Sequence, residues 1–111
     1  MSLPRITVFP LLDPEEPLRK RAPAVDETGR PLSDFMMIIP GLKERPQRLI
    51  QAVTTEIHAA LACFPDAVVF AELNVKLNLL WVSIRPISGV RFEIASAIQN
   101  RVPEARLVSH I

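Results

Sequence analysis

The sequence predicts a small α+β domain whose elements follow the order strand, helix, strand, strand, helix, strand. Two apolar, strand-like stretches lie within Ala67–Arg85 and are joined by a short polar turn, which indicates a β-hairpin. Two other stretches carry apolar residues at helical spacing. A chain of 111 residues has room for one domain with a hydrophobic core. We expect that domain to comprise residues 34–111, preceded by a proline-rich arm at residues 1–33.

The arm is set apart by its prolines, because six of the eleven in the chain fall between Pro4 and Pro31. Proline fixes φ and has no N–H to donate, so this segment is predicted to contain neither a helix nor a central strand. Arg5–Phe9 is a candidate for a short edge strand. The apolar residues of Phe9–Leu12 are tethered to the domain, so they could cover a sheet of the same chain or of a neighbour.

The first strand and the first helix follow the arm. Asp34–Ile39 is apolar on both faces, which is typical of a central strand, and Pro40–Gly41 ends it. Pro46 suits the first turn of a helix, where a missing N–H costs nothing. His58 points away from the apolar stripe of that helix and is expected to be exposed. The stripe itself is predicted to consist of Leu49, Ile50, Val53, Ile57, Ala60, Leu61 and Phe64.

The hairpin that comes next has a turn near Asn74 or Asn78, since asparagine tolerates left-handed backbone angles. Alternate residues of a strand point to opposite faces. The purely apolar sets are assigned to the core, beneath the helices: Val69, Ala71, Leu73, Leu80, Val82 and Ile84. The opposite face then carries the apolar side chains of Val68, Phe70, Leu79 and Trp81, with Glu72 and Arg85 among them. We predict that this apolar face is covered rather than left in water.

A second helix is expected from Gly89 to Arg101, capped by Ser88 and closed by Pro103. Its apolar stripe is predicted to comprise Val90, Ile94, Ile98 and Val102. Phe92 points almost opposite to this stripe, so it is predicted to be a surface hydrophobe that contacts something outside the fold. Arg106–Ile111 is predicted to be the last strand.

This order of elements is that of the ferredoxin-like βαββαβ arrangement. In that arrangement the first and third strands lie in the middle of a four-stranded antiparallel sheet, and both helices cover one face. The sequence agrees, because Phe35–Ile39 and Leu79–Ile84 are its most continuously apolar strands. RNA-recognition modules share this strand order, but their motif K/R-G-F/Y-G/A-F-V-x-F/Y is absent here.

Composition narrows the range of partners. A net charge of +1 is unlike the clearly basic surface of a nucleic-acid binder, so no nucleic-acid partner is expected. No apolar run approaches the roughly 18 residues that a membrane span requires, so no membrane partner is expected. The N-terminus has no apolar region of a secretory signal, and we therefore expect a cytoplasmic protein.

Few residues are candidates for chemistry. Cys63 is the only cysteine and lies near a helix C-terminus, so it is predicted to be a partly buried apolar residue rather than a nucleophile. Cys63 with His58 and His110 matches no zinc-binding spacing, and we expect neither a metal nor a cofactor. No catalytic residue is predicted. A pocket that joined His58, His110 or Arg85 to a carboxylate would favour an enzyme.

Pro40–Gly41 is the most suggestive single position for a ligand. The order of elements, with a glycine at the first strand–helix junction, resembles ACT-type regulatory domains. In that family a glycine at this junction often lets a small ligand approach the backbone. The resemblance implies ligand binding at Pro40 and Gly41, whereas a glycine required only by the turn is the alternative.

The prediction for function is a non-catalytic module that acts through homo-oligomerisation, with a dimer favoured, or by binding a protein partner. The predicted interface residues are Val68, Phe70, Leu79, Trp81 and Phe92. Two alternatives remain open at this point. One is an ACT-like module that senses a small molecule, and the other is a cofactor-free enzyme with a pocket between subunits.

Overall fold

The computed structural model describes residues 10–11 and 24–108, which form an α+β domain. A five-stranded sheet has the order β1-β3-β4-β2-β5, with two helices in the connections. The elements in chain order are β1 (Pro10–Leu11), β2 (Ser33–Ile38), α1 (Gln47–Leu61), β3 (Val68–Asn74), β4 (Leu79–Ile84), α2 (Val90–Arg101) and β5 (Arg106–Leu107).

Four strands, β2 to β5, pair in antiparallel fashion, and β2 and β4 lie side by side in the middle, as predicted. Phe35 is opposite Val82 in this central pair. β1 adds two residues in parallel at the outer edge of β3, with Pro10 opposite Leu73. An edge is where a strand tolerates proline, since one side of the strand has no hydrogen bonds to lose. The predicted edge strand at Arg5–Phe9 lies outside the described residues.

The last strand is paired over a shorter length than predicted. β5 has two residues, and the N–H of Val108 also donates to the carbonyl of Met36 at 2.9 Å. Residues 109–111 of the predicted strand lie outside the described part of the chain. Pairing of Arg106 with Ile38 places β5 at the open edge of β2.

The core lies between the sheet and both helices, because the buried residues of α1, α2 and one sheet face form a single cluster. Both helices therefore cover the same face of the sheet. The stripe of α1 begins at Ile50, and Leu49 is 44% exposed, so its predicted place in the core is wrong. Residues 50, 53 and 57 follow the helical period and share one face of the helix. Leu49 lies about 100° around the helix from Ile50, which places it beside the buried stripe rather than within it.

The start of α2 also differs from the prediction. Gly89, rather than Ser88, occupies the cap position, and no side chain caps the helix. Gly89 has φ of 76°, a left-handed angle that is costly for residues with a Cβ. The N–H of Val90 is satisfied by the carbonyl of Ile87 at 3.1 Å. A backbone turn therefore satisfies an N–H at the start of α2 that the Ser88 side chain was expected to satisfy.

A β-bulge in β3 corrects the predicted face of Val68. Val68 is opposite Ile84 and Phe70 is opposite Ser83, so Val69 is an extra residue without a counterpart on β4. An extra residue shifts the alternation of faces by one. Val68 is therefore fully buried in the core beneath the helices, and its predicted place on the helix-free face is wrong.

Beyond the bulge, the predicted alternation holds. Ala71 and Leu73 lie in the core with Leu80 and Val82. The turn lies at the two asparagines, as expected. The Asn74 side chain accepts the N–H of Leu77 at 3.2 Å, and Asn78 has left-handed angles with φ of 55°.

Adjacent residues of α1 provide a test of the helix phase. Ile57 is fully buried and His58 is exposed, as predicted. We expect Ile57→Ala to lower the free energy of unfolding by about 2–5 kcal/mol, because it leaves a cavity in the core. His58→Ala removes no buried group and should cost at most about 0.5 kcal/mol. Denaturant unfolding measures both, and equal losses would contradict the placement of α1.

Candidate functional site

Three rows of side chains cross the helix-free face of the sheet, from β3 through β4 to β2. Cross-strand partners point to the same face, so the register defines each row. The rows are Phe70–Ser83–Asp34, Glu72–Trp81–Met36 and Asn74–Leu79–Ile38.

The β2 end of each row is more exposed than the β3 end. The three β3 residues Phe70, Glu72 and Asn74 are all buried. On the β2 side, Asp34 is exposed and Ile38 is 42% exposed. The chain therefore covers one half of this face and leaves the other half accessible. We call the accessible half, formed by Met36, Ile38, Leu79 and Trp81, the open patch.

Trp81 lies at the boundary between the covered half and the open patch. Its side chain is half-buried, and within the described residues its buried indole N–H has no hydrogen-bond acceptor. A buried donor without an acceptor costs about 1–3 kcal/mol relative to a satisfied one. Tryptophan usually finds a partner for this group when buried, and Trp81 departs from that pattern within the described residues.

A second feature lies at one end of the sheet, where β4 ends and α2 begins. Two cavities of about 650 Å³ and about 280 Å³ adjoin there and share Pro86 and Ile87. The larger is closed on its far side by the turn at residues 24–31, and the smaller extends towards Phe92. We call the two together the sheet-end groove.

Arg85, at the end of β4, forms hydrogen bonds that hold the turn at residues 24–31 against the sheet. Its guanidinium donates to both carboxylate oxygens of Glu27, at 2.7 and 3.0 Å, and to the main-chain carbonyl of Asp66 at 2.9 Å. Asp26 lies 3.7 Å from the same guanidinium. Each such pair near the surface contributes little by itself, but together they give the turn a fixed position.

Asp26 organises the turn from inside. Its Oδ1 accepts the N–H and the hydroxyl of Thr28, at 2.8 and 2.6 Å, and the N–H of Arg30 at 3.0 Å. The Thr28 hydroxyl is the main cause that holds the pKa of Asp26 below its usual value, with Arg85 a smaller cause. A carboxylate stabilised in its ionised form is a poor general base. Contacts of Arg85 with carboxylates would favour an enzyme. Here they are explained by a structural role, because they fix the position of the turn.

The predicted ligand position, Pro40–Gly41, lies at the opposite end of the sheet from the groove. Gly41 has φ of 75°, and no atom lies within 4 Å of the position that a Cβ would occupy. Asn78 joins this junction, since its carbonyl accepts the N–H of Ile39 at 2.8 Å and its Oδ1 accepts that of Lys43 at 2.7 Å. The turn by itself accounts for the glycine, and a ligand at Pro40 and Gly41 stays a prediction.

The predicted chemistry-bearing residues do not come together. His58 is exposed on α1. Cys63 is exposed beyond the end of α1, with its thiol 3.6 Å from the carbonyl of Ala59, so its predicted partial burial is wrong. The helix ends at Leu61 and the chain turns towards solvent there. His110 lies outside the described residues, among which no group of three or more His, Cys, Asp or Glu could hold a metal ion.

No family model matches the chain, and comparison with curated proteins and with solved structures gives no match. Among the described helices, none combines the length and the apolar character needed to cross a membrane. The cytoplasmic location and the lack of a nucleic-acid partner stay predictions. Interpretation of the site therefore depends on the residues themselves.

The pKa of Asp26 gives a test of the turn. A carboxyl whose pKa is lower in the folded than in the unfolded chain stabilises the fold fully above the unfolded value, and this contribution is lost as the pH falls through the folded value. We expect Asp26→Asn to lower the melting temperature at neutral pH. The difference from the unsubstituted protein should shrink below the usual carboxyl value of 3.8.

Asp66→Asn is the matched control, because the Asp66 side chain is exposed and makes no hydrogen bond within the described part of the chain. Thermal melts followed by circular dichroism at a series of pH values measure both variants. A melting-temperature loss in Asp26→Asn that stayed constant into acid would show that ionisation of Asp26 does not hold the turn.

Proposed function

We propose that the chain is a non-catalytic association module with a ferredoxin-like βαββαβ core, which pairs with a second copy of itself through the open patch. The ferredoxin-like assignment is supported by the order β3-β4-β2-β5, in which the first and third strands of the core are central and its second and fourth strands flank them. The helices on one face leave the other face for association.

The observation that carries the proposal is the apolar surface that the single chain leaves accessible in the open patch. Ile38 is 42% exposed, and Met36, Leu79 and Trp81 are each half-buried on the same face. A second chain laid over the patch would bury this remaining apolar surface. Tryptophan is typical of interface centres because its ring offers a large apolar surface.

The composition of the patch favours a second copy over an unrelated partner. Asp34 lies at one end of β2, and Arg106 lies beside Ile38 at the other end. Both are exposed and neither forms an ion pair with a described residue. A two-fold axis that ran across the strands would place Asp34 of each copy near Arg106 of the other. Such self-complementarity is what a symmetric dimer requires.

The extent of the patch indicates a modest affinity. A standard stable interface buries about 800 Å² on each partner, whereas four apolar side chains with a charged residue at either end supply less than this. We therefore expect a dimer that dissociates on dilution, with a dissociation constant of the order of micromolar.

The proposal retains Leu79 and Trp81 from the predicted interface and adds Met36 and Ile38. Phe70 is buried within the single chain, and Val68 lies in the core. Phe92 is 66% exposed, as predicted for a surface hydrophobe, but it lies on α2 and borders the sheet-end groove. A role for Phe92 in association stays a prediction, separate from the open patch.

A lysine at position 38 tests the proposal. Ile38→Lys should weaken dimerisation at least about tenfold, because a charge would be placed in an apolar contact. Leu49→Lys is the matched control, since Leu49 is similarly exposed, at 44% against 42%, but lies on α1 at the other face of the sheet. Sedimentation velocity over a range of concentrations measures the dissociation constants.

The result expected is a concentration-dependent dimer for the unsubstituted chain and for Leu49→Lys, with Ile38→Lys shifted to monomer. A chain that stays monomeric at all concentrations would overturn self-association. Equal weakening by both lysine variants would show that association uses another surface.

A further inference from the structure

The sheet-end groove has a size suited to a small ligand. Its larger cavity, about 650 Å³, lies within the range of about 300–1,000 Å³ that is usual for small-molecule sites. The turn at residues 24–31 forms one wall of this cavity, and the chain from Arg85 to Ile87 forms the other. Because Asp26 and Arg85 hold the turn in place, the groove is formed before any ligand enters it.

The charges that line the groove leave a surplus of one positive charge. Its ionisable lining comprises three arginines, Arg30, Arg85 and Arg91, and two carboxylates, Asp26 and Glu27. Three positive and two negative charges sum to +1. The carboxylates are both engaged, Asp26 by its own turn and Glu27 by Arg85.

The three arginines differ in how many of their guanidinium N–H donors remain free of hydrogen bonds. Arg85 is engaged by Glu27, Asp26 and the Asp66 carbonyl. Arg91 donates from one nitrogen to the Ser33 hydroxyl at 3.0 Å and to the Asp34 carbonyl at 3.3 Å. The guanidinium of Arg30 makes no hydrogen bond or ion pair with any described residue, so its planar pair of donors is available.

Apolar side chains form the wall shared by the two cavities. Pro86 and Ile87 line both, Pro31 lines the larger and Phe92 lines the smaller. Ile87 is 49% exposed, so this wall offers accessible apolar surface next to the free guanidinium. A ligand with a compact apolar part could cover it.

We infer that the sheet-end groove binds a small monocarboxylate with an apolar tail, whose carboxylate pairs with Arg30 and whose tail lies on Pro86 and Ile87. A guanidinium binds a carboxylate through two parallel hydrogen bonds, a geometry that an ammonium or a hydroxyl ligand cannot reproduce. The surplus of a single charge fits a monoanion. A cationic ligand would be repelled by the free guanidinium of Arg30. It would also find no free carboxylate, because both carboxylates of the lining are already engaged.

Hexanoate is the probe for this site, with 1-hexanol and hexylammonium as ligands that keep the tail and change the head group. Two-dimensional ¹H–¹⁵N spectra of the full chain report where each binds. We expect hexanoate to shift the amide resonances of Arg30, Ile87 and Phe92 in a saturable way. Hexanol and hexylammonium should bind at least about tenfold more weakly.

Arg30→Gln keeps the main-chain N–H that Asp26 accepts and removes only the guanidinium, so the turn is expected to remain. It should weaken hexanoate binding at least about tenfold, to the level of hexanol. Arg48→Gln is the matched control, because Arg48 is exposed near the start of α1, outside the groove lining. It should leave the affinity unchanged.

Ile87→Ser provides an independent variant, since it shortens the apolar wall without touching the charges. It should weaken hexanoate and hexanol binding by a similar factor. The inference is overturned if hexanoate shifts resonances outside the groove, if hexylammonium binds as well as hexanoate, or if Arg30→Gln and Arg48→Gln have the same affinity. Because Ile38 lies outside this groove, the outcome is independent of self-association.

Discussion

The two central strands, β2 and β4, present an apolar face to both helices, and their pairing determines where the other elements can lie. Phe35 and Met37 of β2, with Leu80 and Val82 of β4, are buried between the sheet and the helices. Once both helices occupy this side, the opposite side of the same strands has no helix to cover it. The covered half along β3 and the open patch along β2 are consequences of this one-sided arrangement.

The elements that depend on local periodicity could be predicted from the sequence. The buried stripes of α1 and α2 follow the helical period, and the central strands are marked by apolar residues on both faces. The turn at Asn74 and Asn78 was indicated by residue type, because asparagine adopts left-handed angles readily. In each case the signal lies within a few residues of the element that it predicts.

The remaining features depend on contacts between distant residues. The bulge at Val69 has no local signature, since any residue can be the extra one, and it alone moves Val68 from the helix-free face into the core. Arg85 and Glu27 are 58 positions apart, so their ion pair follows from the tertiary fold. The same holds for the sheet-end groove, whose walls come from residues 26–33 and 84–92.

The two proposed sites divide the surface of one small domain between different kinds of interaction. The open patch is apolar and has opposite charges at its two ends, which suits a second copy of the chain. The sheet-end groove is concave with one surplus positive charge, which suits a small anion. Neither requires a reactive side chain, in keeping with the non-catalytic module that we propose.

The central claim, that a second chain completes the helix-free face, is tested most directly at Trp81. It is the only tryptophan, so its indole N–H gives one unambiguous resonance in a ¹H–¹⁵N spectrum. The account predicts that this resonance shifts as the protein concentration rises, because a second chain packs against the exposed part of the Trp81 side chain. A resonance whose position stays constant from dilute to concentrated protein would contradict it.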